Sequence, residues 1–130
     1  MNENRITHLE KQWAVFKYEV LEKDPATYQK IRTLLKNKTD PDESMFLELI
    51  QHAKQQPIHK GHQQTALEHV WGYFKRICTP QEKTKFENEL RLWLNNDIEL
   101  IEIKQSLYSL ALKYQVTYLL ESSYFDQVKF

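Results

Sequence analysis

Apolar residues recur along this chain every three or four positions, with polar residues between them, the period of one helix face. Ile6, Leu9, Trp13, Phe16, Val20 and Leu21 predict a first helix from about Glu3 to Lys23, with Lys11 and Lys17 off the stripe and solvated. Asp24-Pro25 predicts a restart, because an acidic cap accepts from an orphan backbone N–H and proline suits the first helical position. Tyr28, Ile31, Leu34 and Leu35 then form a second apolar face that runs to near Asn37. Asp40-Pro41 repeats the device with Glu43 in the reciprocal capping position, and Met45, Phe46, Leu49, Ile50 and Ala53 give a third helix its buried side. Pro57 stops that helix, since proline cannot donate to the backbone ladder.

The later chain follows the same grammar. Thr79-Pro80-Gln81-Glu82 is a capping box that opens a fifth helix burying Phe86, Leu90, Trp93 and Leu94. Asn95-Asn96-Asp97 breaks it and caps a sixth, whose face is Ile98, Ile101, Leu107, Leu110, Ala111 and Tyr114. Thr117 to about Tyr124 predicts a short last helix packing Tyr118, Leu119 and Leu120.

Composition narrows the architecture. Two glycines and four prolines in 130 residues leave little material for hairpin turns. An aromatic share of 12% supplies large buried rings despite an apolar share of only 41%. The expectation is all-α: one domain over residues 1–130, a single compact bundle of six to seven mostly antiparallel helices.

Eighteen basic and eighteen acidic residues leave no net charge, so no global field draws the chain to nucleic acid or to a membrane. The distribution is uneven. Between Ile50 and Lys85 stand Lys54, Lys60, Lys75, Arg76, Lys83 and Lys85 against Glu68 and Glu82, whereas acids exceed bases from Phe86 onward. A single cysteine, Cys78, excludes an internal disulfide and suits a reducing compartment. No apolar run approaches the roughly 18 residues of a membrane span, and the polar MNENRITHLEK start lacks a signal-peptide core. These features predict a cytoplasmic protein with no membrane partner.

The stretch His59 to Arg76, HKGHQQTALEHVWGYFKR, is chemically unlike the rest. It holds three of the five histidines, both glycines and a Lys-Arg pair. Taken as one helix from Ile58 to Ile77, it puts Leu67, Val70, Phe74 and Ile77 on a core face. His62, His69, Tyr73 and Arg76 then fall within roughly 60° of one another on a second face, beside Gly72. Imidazoles, a phenol and a forked guanidinium next to a bare backbone suit an anion or a base, with Lys60 and Lys75 adding positive charge. The same residues also read as a solvated face in which Gly72 admits a neighbouring helix. Glycine in mid-helix costs roughly 1 kcal/mol relative to alanine, so a packing or functional reason is expected for it.

Other chemistries find less support. His59 and His62 lie three apart and His69 seven further on, with no HExxH, cysteine pair or carboxylate at ligand spacing, so no metal or other cofactor is expected. Cys78 beside Ile77 at the end of an apolar face reads as an inert thiol. Glu99 and Glu102 complement a helix N-terminus. No catalytic residue is assigned.

At these residues the chain resembles the YbgA-like family, a bacterial domain of unknown function found alone or fused to a thiouracil-desulfurase domain. The most specific element is His62, Leu67, His69, Gly72, Tyr73, Phe74 and Lys75, matching a His-x-Asn-Val-Leu-x-His-x-x-Gly-Tyr-Phe-Lys pattern, with Gln64 and Thr65 departing at Asn-Val. WAVFKYEVLEKDPATYQKI at Trp13 to Ile31 and YLLESSYF at Tyr118 to Phe125 are similar to two further family elements. Family polar positions are replaced here at Trp13, Tyr108-Ser109 and Ser122. What the resemblance implies is an RNA ligand, transfer RNA in particular, by way of the fused domain.

The leading expectation is a non-enzymatic module that binds RNA or a nucleotide through Lys60, His62, His69, Gly72, Tyr73, Lys75 and Arg76. Two alternatives stand beside it: a small-molecule or enzymatic cleft using His62, His69 and Tyr73, and a protein-interaction or homo-oligomer surface using aromatics such as Trp71 or Trp93 where either is exposed.

Overall fold

A computed structural model describes residues 4–128. The chain forms α1 (Arg5–Lys23), α2 (Pro25–Leu34), α3 (Glu43–Lys54), α4 (Lys60–Trp71), α5 (Pro80–Leu94), α6 (Leu100–Lys113), α7 (Thr117–Leu120) and a 3₁₀ turn, Ser123–Phe125. No strand occurs among the described residues, as the all-α expectation requires, and no helix is long and apolar enough to cross a membrane. Contacts gather into two compact units. One holds residues 4–66 together with Ser122–Tyr124, and the other holds Leu67–Glu121 with residues 125–128.

In the first unit α1 packs on α2 and α3, and α2 packs on α3. The start expected at Glu3 lies outside the described residues; α1 opens at Arg5, with the Asn4 side chain accepting from Thr7 N at 2.9 Å. Leu9, Ile31, Phe46 and Ala53 are fully buried, and Trp13 meets Tyr28 with ring centroids 5.5 Å apart. Asp24 caps α2 as expected, accepting from Ala26 N at 3.2 Å and from the Thr27 hydroxyl at 2.7 Å.

Three expectations fail in this unit. The cap of α3 is Asp42, whose carboxylate accepts from Met45 N at 2.9 Å, and not Asp40. Asp40 is engaged elsewhere: its N–H donates to Asn37 Oδ1 at 3.0 Å and its carboxylate pairs with Arg5 at 2.9 Å. Met45 is 43% exposed, because the buried face runs Phe46, Ile50 and Ala53 and Met45 sits one residue out of phase. Lys17 is part-buried rather than solvated; burial, with the Arg32 charge adding, lowers its pKa.

The Ser122–Tyr124 segment returns to α1. Ser123 Oγ lies 2.6 Å from Glu19 Oε1 and 3.1 Å from Val15 O, and Ser122 Oγ lies 3.4 Å from the same carbonyl. Hydroxyls bonded to a part-buried helix carbonyl give it a partner where water has limited access.

In the second unit α5 packs on α6 and α6 on α7. The Thr79 capping box forms in full: Glu82 N donates to Thr79 Oγ1 at 3.1 Å, and Thr79 N donates to Glu82 Oε1 at 2.9 Å. The sixth helix starts later than expected, with Glu99 rather than Asp97 as its cap and Glu99 N donating to Glu102 Oε2 at 2.8 Å. Its core face is therefore Ile103, Leu107 and Ala111, which leaves Ile101 42% exposed. Leu94, the last residue of α5, is 39% exposed beside the break instead of buried. Tyr118 is likewise 39% exposed, while Leu119 carries the burial of α7.

Two helices end in the same motif, with a residue in the left-handed region just past the cap. Asn96 has φ 63°, with Asp97 N bonded to Leu92 O at 2.8 Å. Gln115 has φ 54°, with Val116 N bonded to Ala111 O at 2.9 Å. Asparagine tolerates this region, but a glutamine Cβ crowds the following carbonyl. Gln115→Gly should therefore raise the unfolding free energy by about 1 kcal/mol in urea titrations.

Candidate functional site

The helix expected over Ile58–Ile77 is shorter at both ends, and the shortening reorganises the site. Helix α4 ends at Trp71, and residues 72–77 form consecutive turns. Hydrogen bonding tightens from four-residue to three-residue spacing: Gly72 N donates to Glu68 O (3.1 Å) and His69 O (3.2 Å), Tyr73 N to Val70 O (3.1 Å) and Phe74 N to Trp71 O (2.9 Å). Gly72 suits this closure because an added Cβ would sit 3.0 Å from the His69 carbonyl oxygen. Its reason is thus local, the tightening of its own chain. Phe74 is buried, while Ile77, expected on the core face, is 52% exposed.

The candidate residues fall in two groups, one in each unit. Lys60 and His62 belong to the first. His59 and His62 stack with ring centroids 4.0 Å apart, and His62 N donates to His59 Nδ1 at 3.3 Å. His59 thereby acts as a side-chain cap for α4, and Gly61 makes room for it, since a Cβ there would lie 3.1 Å from His59 Cε1. His62 is half-buried, and its Nδ1 is shut from solvent with no hydrogen-bond partner among the described residues. No cluster of three His, Cys, Asp or Glu side chains able to hold a metal occurs among the described residues.

His69, Gly72, Tyr73, Lys75 and Arg76 belong to the second unit. His69, Gly72, Lys75 and Arg76 are exposed, and Tyr73 is half-buried. Tyr73 stacks on Tyr118, centroids 6.2 Å apart and planes at 20°. The structure thus places a guanidinium, an ammonium and an imidazole on one short segment beside an aromatic pair. The sequence places Tyr118 in the packing of the last helix and not beside Tyr73, because the two are 45 positions apart and no local pattern announces the pair.

The segment is braced from below. Phe74 lies between Trp71 (6.4 Å) and Tyr114 (6.2 Å), and Trp71 stacks on Phe86 at 4.4 Å with planes 8° apart. Trp71 and Trp93 are each only 5% exposed, which removes both from any interaction surface. The Tyr114 hydroxyl donates to Glu82 Oε1 at 2.5 Å and Lys113 to Glu82 Oε2 at 2.6 Å, so one carboxylate caps α5 and anchors the end of α6.

Bonds from Lys113, Tyr114 and the Thr79 N–H hold the Glu82 carboxyl down to about 2, from an ordinary 4.5. The same carboxylate raises the pKa of Lys113 and of Tyr114. A carboxyl whose folded pKa is depressed stabilises fully above its unfolded value and loses that contribution as pH falls through the folded one. Thermal unfolding midpoints of the protein and Glu82→Gln should therefore differ most above about pH 4.5 and converge toward pH 2.

No curated protein and no solved structure matches the chain. Residues 17–128 match the family described as Protein of unknown function (DUF1722), which takes in the turn, its bracing helices and Tyr118. The chain belongs to that family, the YbgA-like family that its motifs resemble.

Proposed function

We propose that this chain is a non-enzymatic, cytoplasmic helical module that binds RNA, transfer RNA included, through the segment that follows α4. The observation that carries the reading is the exposed Lys75-Arg76 pair beside the stacked Tyr73 and Tyr118 rings. Single-stranded and looped RNA is held by cations on its phosphates and by bases stacked on aromatic faces. Arg76 offers a forked donor to a phosphate and Lys75 a point charge. The exposed part of Tyr118 offers a face to an unstacked base, and His69 adds a hydrogen-bonding edge. Lys60 and His62 lie in the other unit and are not needed for this contact.

A chain of zero net charge has no long-range field to assist, so the affinity is modest and falls steeply with salt. Fluorescence anisotropy with bulk transfer RNA at low salt tests the reading. Saturable binding that weakens in Lys75→Ala/Arg76→Ala and in Tyr118→Ala supports it. No binding, or binding indifferent to these changes, refutes it.

A further inference from the structure

A second site lies on the second unit, in a cleft of about 210 Å³ between α5 and α6. Its walls are apolar, formed by Phe86, Leu107 and Leu110, with Glu89 and Ser106 among its polar groups. Glu89 Oε2 accepts from the Ser106 hydroxyl at 2.9 Å. Glu89 Oε1 is shut away from solvent and has no hydrogen-bond partner among the described residues. A carboxylate oxygen left in that condition carries an uncompensated desolvation cost, so a donor that reaches it is favoured.

The nearby cations do not meet that need. Lys113 is held by Glu82 at 2.6 Å, and Lys85, one turn before Glu89, is exposed. The terminal torsion of a glutamate is broad, so a small rotation of the whole carboxylate brings it toward an entering donor, and the freely turning Ser106 hydroxyl follows. We propose that this cleft binds a small organic amine, its ammonium donating to Glu89 and its apolar body lying against Phe86 and Leu110. A charged donor suits a carboxylate in apolar surroundings better than a neutral one, and the walls suit a hydrocarbon body rather than a second polar group. The proposal is independent of the RNA reading and shares none of its residues.

The test is a titration of the isotope-labelled full chain with benzylamine and, separately, with neutral benzyl alcohol, followed by amide chemical shifts. Benzylamine is expected to shift Phe86, Glu89 and Ser106 saturably and to bind at least about tenfold more tightly than the alcohol. Glu89→Gln should weaken benzylamine at least about tenfold and leave benzyl alcohol unchanged. Lys85→Ala, which removes a like charge from the cleft lining, should tighten benzylamine. Ser109→Phe, an exposed change at the rim, should block both probes and keeps the test open if Glu89→Gln does not fold. Equal affinity for the two probes, indifference to Glu89→Gln in a folded variant, or no saturable shift overturns the proposal.

Discussion

Replacing Phe74 with alanine is expected to lower the unfolding free energy by about 3–5 kcal/mol, the range for truncating a buried aromatic ring. The side chain is fully buried, and its ring lies against Trp71 and Tyr114. Truncation removes the apolar burial and leaves a cavity that two large neighbours cannot easily fill. The effect should exceed that of a change at Ile77, which is 52% exposed, by several-fold. If residues 58–77 were one continuous helix, Phe74 and Ile77 would share a buried face and truncation of either would be costly. Urea unfolding of Phe74→Ala and Ile77→Ala therefore separates the two geometries, and comparable losses would contradict the break at Gly72.

The largest functional effect is expected from Lys75→Ala/Arg76→Ala. Each neutralised phosphate contributes roughly 0.7 to 0.9 to the slope of log K against log salt. Losing two contacts should shorten that slope by about 1.4 to 1.8 and weaken binding by about 100-fold at tens of millimolar salt. Both side chains are exposed, so the fold should survive and the near- and far-ultraviolet dichroism should be unchanged. A Tyr118→Ala change removes stacking instead of charge. It should weaken binding by about 1–3 kcal/mol while leaving the salt slope intact. The pair of variants thus distinguishes phosphate contact from base contact, and a salt slope unaltered in the double variant would count against the assignment of Lys75 and Arg76.

Much of the architecture is legible in the sequence because it rests on short-range chemistry. The Asp24-Pro25 and Thr79-Pro80-Gln81-Glu82 starts stand where the sequence puts them, since an N-cap needs only an acceptor and an N–H two or three residues on. Where two acceptors compete, local reading loses: Asp40 and Asp42 both precede α3, and the pull of Arg5 and Asn37 on Asp40 is visible only in three dimensions. The end of α6 is hidden for a related reason. Gln115 occupies a position that glycine or asparagine usually announces, so nothing in its identity signals the stop.

The candidate site was half legible. Residue type alone points to His69, Tyr73, Lys75 and Arg76, and these are carried on one exposed or half-exposed segment. His62 and His69 both lie on α4, whereas three-residue bonds take over at Gly72 and carry Tyr73 and Arg76 off the helical wheel, and the His62 ring stacks on His59. Tyr118, the Glu82 anchor and the Glu89 cleft depend on contacts across 17 to 45 positions, and periodicity carries no information about such pairs.

On the proposed reading, the turn after α4 and Tyr118 form one RNA-contacting surface. It is tested most directly by mapping amide chemical shifts of the labelled chain on titration with a transfer RNA anticodon stem-loop at low salt. Saturable shifts are expected at His69, Gly72–Arg76 and Tyr118, abolished in Lys75→Ala/Arg76→Ala. Shifts centred elsewhere on the chain, or none at saturating RNA, would contradict it.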